Sequence, residues 1–145
     1  MFNKLKFFIL ALSLTVSLQL SAGSNISKYY EIDNIPLPKG EHSADAIAFM
    51  PDGRLVCALS LSKIYFYDTE TKEWSLFAEG LHTPLGISPI NNHEIIVSQR
   101  PEITRIIDTD KDGKADHYKT ESDYFGITGT YGEWAFGPVK DSKGN

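Results

Sequence analysis

Between Asp108 and Asp116 the chain reads DTDKDGKAD, and the chemistry available to this stretch is that of oxygen ligands. Asp108, Asp110 and Asp112 alternate with other residues, Gly113 follows at once, and Asp116 closes the run. A hard cation such as Ca²⁺ takes six to eight oxygens from carboxylates, backbone carbonyls and water. Alternate carboxylates along a turning chain can converge on one ion, and the glycine permits the sharp turn because it adopts φ > 0 at no steric cost. The expected ligand set is Asp108, Asp110, Asp112 and Asp116 through their carboxylates and Lys114 through its backbone carbonyl.

An EF-hand loop would need a bidentate Glu at its twelfth position, where this chain has Lys119, and helices on both sides. The flanking segments ITRII and HYKT lean towards β instead. The loop thus resembles the calcium-binding hairpins of integrin-type propeller blades, in which a ninth-position Asp completes the shell. An Asp-Gly hairpin turn with solvated acids and no metal is the alternative reading of the same residues. The other titratable residues are less organised: His42, His82, His93 and His117 form no ligand spacing, and no Cys-x-x-Cys-His haem motif occurs.

The elements that must hold this loop read as strands. AIAFM runs into the turn Pro51-Asp52-Gly53, and RLVCALS follows with apolar residues on both faces, which buries Cys57 as a small core residue. KIYFYD, the polar turn TETKE and WSLFAEG form a second hairpin with alternating aromatic residues. The pattern then returns: LGISP echoes AIAFMP, the turn at 91–94 echoes Asp-Gly, IIVSQ echoes LVCAL, and the acidic loop joins the last two strands. A third start comes at Glu133 to Pro138. The anchoring prolines Pro51, Pro89 and Pro138 lie 38 and 49 residues apart, close to the period of four-stranded propeller blades. No sustained 3.6-residue apolar stripe competes with this reading. The expected fold is all-β: a partial β-propeller of two blades and the start of a third over 45–145. An extended lead-in at 24–44, in which Tyr29, Ile32 and Ile35 are available for packing, precedes it. Two blades cannot close a ring of four to eight, so the expectation is an N-terminal piece of a longer protein, completed by downstream blades.

Residues 1–23 carry the order of a secretory signal: Lys4 and Lys6, an apolar run from Phe7 to Leu20, then Ser21, Ala22 and Gly23. Without the two lysines of 1–22 the chain keeps 12 basic and 19 acidic residues, a formal charge of −7. An acidic chain with no basic cluster is a poor partner for nucleic acid and has no polybasic patch for an anionic membrane. One cysteine allows no internal disulfide. Asn25-Ile26-Ser27 fits the glycosylation sequon, which matters only in a host that glycosylates exported chains. The expected location is periplasmic or extracellular.

IAFMPDGRLV, WSLFAEGLHTPLGI, VSQRPEITRIIDTDKDGKAD and AFGPVKDSKGN together resemble the N-terminal propeller of large exported bacterial proteins related to quinone-dependent glucose and sorbosone dehydrogenases. Several of these carry a C-terminal c-type haem domain. The resemblance implies oxidation of a sugar or alcohol with electrons passed to a quinone such as pyrroloquinoline quinone. It also implies an axial mouth lined by a histidine base and arginines, for which Gln99 and Arg100 are the candidates as cofactor-binding residues. Relatives tend to place a histidine beside the Glu before AFGP, whereas this chain has Tyr131-Gly132-Glu133, so that role has no counterpart. Tyr124, Phe125, Tyr131, Trp134 and Phe136 could stack on a sugar or simply fill the space between blades. DGRLVCALSLSKIYFYDTETKEW also resembles six-bladed lactonase-like hydrolases, and a calcium-stabilised binding module without catalysis is the third reading. With at most two blades, the piece in hand is expected to be inactive alone, its catalytic residues unassigned.

The signal reading has a direct consequence. Mass spectrometry of the exported protein from its own host should find cleavage after Ala22 or Gly23 and a mature chain starting near Ser24. Retention of residues 1–20 in the exported form would contradict it.

Overall fold

The computed structural model describes residues 30–130 and 132–143. Its eight strands are β1 (Ala44–Phe49), β2 (Leu55–Leu59), β3 (Lys63–Tyr67), β4 (Trp74–Ala78), β5 (Gly86–Asn91), β6 (Glu94–Ser98), β7 (Ile103–Ile107) and β8 (His117–Ser122). They form two four-stranded antiparallel sheets in sequential order, β1-β2-β3-β4 and β5-β6-β7-β8, with no helix among the described residues. Short strands rich in branched and aromatic residues, each ended by a polar or glycine-bearing turn, leave the backbone no nearer partner than the preceding strand.

The register fixes the faces. In the first sheet Ala46 pairs with Ala58 and Ala48 with Val56, and Val56 pairs in turn with Phe66. In the second sheet Ile87 pairs with Val97 and Pro89 with Ile95. These two faces share one core: Val56, Ala58, Ile64, Phe66 and Phe77 from the first sheet, Ile95, Val97 and Ile106 from the second, with Ala46, Ala48 and Ile87 packed against it. Phe66 and Phe77 meet at 4.4 Å between ring centroids. Burying such side chains between two sheets is what offsets the conformational entropy of ordering them. RLVCALS has both faces buried as its composition demands, with Val56, Cys57, Ala58 and Leu59 all in the core set. Cys57 is a free thiol, and burial pushes its pKa up to about 11.

The register also corrects the spacing of the repeat. Phe49 stands opposite Leu55, and Pro89 stands opposite Ile95, so Pro89 is the counterpart of Phe49 rather than of Pro51. The two sheets therefore repeat at 40 residues along their first strands, with Gly86-Ile87-Ser88-Pro89 matching Ala46-Ile47-Ala48-Phe49. Proline is a poor marker of the repeat because it lies within a strand in one copy and in a turn in the other.

One further expectation needs revision. The segment from Glu133 to Pro138 is not a strand. It nevertheless runs beside β5 in the same direction, since Ser98 Oγ lies 3.0 and 2.8 Å from the Ala135 and Gly137 carbonyls and Lys140 Nζ donates to the Pro89 carbonyl at 2.8 Å. The approach is so close that a Cβ on Gly86 would fall 1.3 Å from the Gly137 oxygen, which accounts for glycine there. Of the lead-in residues available for packing, Tyr29 lies outside the described residues. The chain attaches to the first sheet just beyond: Trp74 Nε1 donates to the Pro36 carbonyl at 2.8 Å. Glu41 accepts from Lys63 Nζ at 2.8 Å and Tyr65 OH at 3.1 Å, and these partners, Lys63 first, hold its carboxyl below the usual range. The signal segment also lies outside the described residues.

Phe66 sits at the centre of the shared core. Phe66→Ala should cost about 3–5 kcal/mol by lost transfer energy and cavity formation. Urea denaturation followed by tryptophan fluorescence would measure it, and a loss below about 1 kcal/mol, the scale of a surface substitution, would place the core elsewhere.

Candidate functional site

The antiparallel order sorts every connection to one of two ends of the sheets. At one end lie the β1–β2, β3–β4 and β5–β6 turns and the β7–β8 loop that carries the aspartates. At the other lie the β2–β3 turn, the β4–β5 connection, the β6–β7 turn with Gln99 and Arg100, and the stretch after β8. The two sets of candidate residues therefore stand at opposite ends of the second sheet.

At the first end, ligand oxygens of Asp108, Asp110 and Asp112 all lie within 4.8 Å of one another. Two oxygens on opposite sides of a Ca²⁺ at about 2.4 Å each would be that far apart, so one ion can reach all three. Asp108 is the rigid member. It is 2% exposed at the end of β7, and it accepts from the Asp112 and Gly113 amides at 3.2 and 3.0 Å. Gly113 takes φ +92°, the turn that brings its amide back onto Asp108. Asp110 and Asp112 are exposed. Asp110 accepts from the Asp112 amide at 3.3 Å, and Asp112 accepts from the Lys114 amide at 2.8 Å. Lys114 thus has its backbone in the turn. Asp116 stands outside the converging three: Thr109 donates to it through its amide at 3.0 Å and its hydroxyl at 2.5 Å. Those bonds, the hydroxyl first, hold the Asp116 carboxyl below the usual carboxylate range.

The loop is also tied to the first sheet. Ala115 donates its amide to the Phe77 carbonyl at 2.8 Å and packs on the shared core. At the same end Arg54 lies 4.3 Å above the Phe66 ring, and its Nη2 donates to the Asn92 carbonyl at 2.9 Å. His93 approaches Asp108 at 3.4 Å, a neighbour that sequence spacing alone gave no means of finding.

At the second end Gln99 and Arg100 have separate surroundings. Gln99 is buried: its oxygen accepts from the His82 amide at 2.7 Å, and its NH₂ donates to Thr104 Oγ1 at 2.7 Å. Its amide holds the β6–β7 turn to the β4–β5 connection. Arg100 reaches the Thr130 carbonyl at 3.1 Å and Glu133 at 3.6 Å. It lines a cleft of about 460 Å³ together with Ser98, Ile103, Phe125, Trp134 and Phe136. Tyr124 is exposed away from it, and Tyr131 lies outside the described residues. Glu133 was not singled out by the sequence, yet it organises this end. The Thr128 hydroxyl and amide and the Gly129 amide all donate to it, and they lower its pKa to about 2.

Over its described residues the chain is all-β, two consecutive four-stranded antiparallel sheets with an acidic hairpin at one end. Residues 66–130, under half of the chain, match a family described as a domain of unknown function, DUF7133. No curated protein and no solved structure matches it.

A pH prediction follows from Glu133. Its folded pKa is depressed, so its hold on Thr128 and Gly129 is complete above the ordinary value of 4.5 and fades as pH falls towards about 2. Amide hydrogen exchange at Thr128 and Gly129 should therefore speed up in that window beyond its intrinsic pH dependence. In Glu133→Gln it should be fast throughout, and equal exchange in the two proteins would contradict the assignment.

Proposed function

We propose that the two sheets are consecutive blades of a β-propeller that belongs to an exported, dehydrogenase-like protein, and that the 108–116 hairpin binds Ca²⁺ to brace the blade seam. The observation that carries this is the convergence of Asp108, Asp110 and Asp112 on a loop whose next residues are pinned to the neighbouring sheet. Three carboxylates so close repel one another unless a cation lies among them, and oxygen donors of this hardness suit Ca²⁺. Asp108 brings a preformed, buried oxygen pair; Asp110 and Asp112 close from the exposed side; Lys114 can add its carbonyl and Asp116 can join by a shift of its side chain. An ion there orders the β7–β8 hairpin and, through Ala115, the edge strand β4. A cleft of about 590 Å³ lined by Asn92, His93, Ile107, Asp108 and Lys111 adjoins the loop; the role proposed for the ion is structural, because the loop is tied through Ala115 to the neighbouring sheet.

The redox part of the reading rests on the sequence resemblance. This chain's share of a cofactor or sugar site would be Arg100 and the aromatic residues beside it at the opposite end. Among the described residues Arg100 is the one cation lining that cleft. The remaining groups would come from other blades, and we derive no oxidation step from these residues. The binding-module reading needs only the metal hairpin and draws on the same observation.

Isothermal calorimetry should detect Ca²⁺ binding with a dissociation constant on the order of 10⁻⁴ to 10⁻³ M, the range of extracellular modules. Asp110→Ala should lose the heat and Lys114→Ala should keep it, because only a backbone carbonyl is asked of Lys114. Absence of calcium heat in the parent, or equal loss in both variants, would remove the site.

A further inference from the structure

The chain contains two Asp-Gly pairs, Asp52-Gly53 in the β1–β2 turn and Asp112-Gly113 in the β7–β8 loop. In such a pair the glycine nitrogen reaches the side-chain carbonyl carbon of its own aspartate easily, because glycine has no Cβ to hinder the approach. Both glycines take the same left-handed conformation, φ +91° and +92°. Their surroundings differ. The Gly53 amide donates to the Met50 carbonyl at 3.0 Å, a neutral acceptor. Arg54 grips the Asp52 carboxylate through its amide at 3.1 Å, its Nε at 2.9 Å and its Nη2 at 2.7 Å. A carboxylate so paired keeps its charge and is a poor electrophile. The Gly113 amide instead donates to Oδ2 of the buried Asp108 at 3.0 Å. The Asp112 side chain is exposed, and its Oδ1 accepts from the Lys114 amide at 2.8 Å. A nucleophilic nitrogen, a carboxylate placed to take its proton and a backbone N–H placed to polarise the carboxyl under attack are the parts of an acyl transfer.

We propose that Asp112-Gly113 is a self-modification site, at which Asp108 assists the isomerisation of Asp112 to isoaspartate. With Asp112 in its acid form, the Gly113 nitrogen bonds to Asp112 Cγ. The amide proton passes to Asp108 and returns to the departing hydroxyl, which leaves as water as the succinimide ring closes. Water then adds to the ring carbonyl that was the main-chain carbonyl of Asp112, and the ring opens to isoaspartate. One water leaves and one enters, so the product is an isomer and no oxidant or further reactant is needed. The main chain gains a methylene, and the carboxylate of residue 112 moves out of register with Asp108 and Asp110. A Ca²⁺ ion among these carboxylates would engage the acid and the base together, so a filled loop is protected and an empty one ages. That protection rests on the calcium proposal, whereas the isomerisation needs only the loop.

The full chain is held at neutral pH in EGTA, and isoaspartate at each position is read by proteolysis and electron-transfer mass spectrometry, which separates the isomers by their fragments. Isomerisation at Asp112 should exceed that at Asp52 by roughly tenfold or more, since a placed general base contributes about 10²–10⁴. Guanidinium removes the geometry and should bring the two rates together. Asp108→Asn, which keeps an acceptor but loses the base, should do the same while its far-ultraviolet spectrum stays native; if that variant unfolds, the guanidinium comparison on the parent decides. Equal rates at the two positions in the native parent, an excess at Asp112 that persists in guanidinium, or faster reaction at Asp112 in a folded Asp108→Asn protein would each overturn the proposal. Saturating Ca²⁺ should slow Asp112 and leave Asp52 unchanged. An Asp112 rate indifferent to Ca²⁺ would sink the metal reading and leave the modification site standing.

Discussion

The seam between the two sheets is the constraint from which the rest follows. Ala46 and Ala48 keep β1 low enough for the second sheet to come close, and Ile95, Val97 and Ile106 fill the space against Phe66 and Phe77. A sheet of four short strands with one apolar face is marginal in water by itself, and stacking a second one is the nearest remedy. Once the faces are joined, the antiparallel order leaves no freedom over which turns share an end. The aspartate loop and Arg54 then work at one end of the seam, and Gln99, Arg100 and Glu133 at the other.

This division explains why the two candidate sites differ in character. The aspartate hairpin is polar, turn-rich and fixed by its own backbone, which suits an ion that needs oxygens on several sides. The opposite end is a cleft between the second sheet and an irregular segment, with aromatic walls and one guanidinium already engaged. Phe136, which lines the cleft, and Val139 beyond it are both exposed.

Much of this was legible in the residues. Alternation and punctuation place all eight strands, because Asp52-Gly53, 91–94 and the acidic loop are turns for local chemical reasons. The burial of Cys57 follows from apolar residues on both strand faces. The repeat was legible as a pattern but not in its register: cross-strand pairing, which equates Pro89 with Phe49, is set by partners that no single strand carries. The segment after Glu133 reads as a strand by composition, yet its carbonyls are met by the Ser98 side chain rather than by a paired strand, and it remains irregular. At the sites, Asp108, Asp110 and Asp112 could be grouped by spacing, since a turn brings alternate residues together. The tie of Asp116 to Thr109, the approach of His93 and the anchoring role of Glu133 depend on side-chain directions across a loop, and spacing carries no such information.

The central claim is that the aspartate hairpin binds a cation and through it secures the seam between the sheets. The Ala115 amide, which donates to the Phe77 carbonyl, reports on both at once. Its hydrogen exchange should be measured with and without saturating Ca²⁺. The account predicts that calcium slows exchange at Ala115 as well as at Asp112 and Gly113. Slowing confined to Asp112 and Gly113, or none at all, would contradict it.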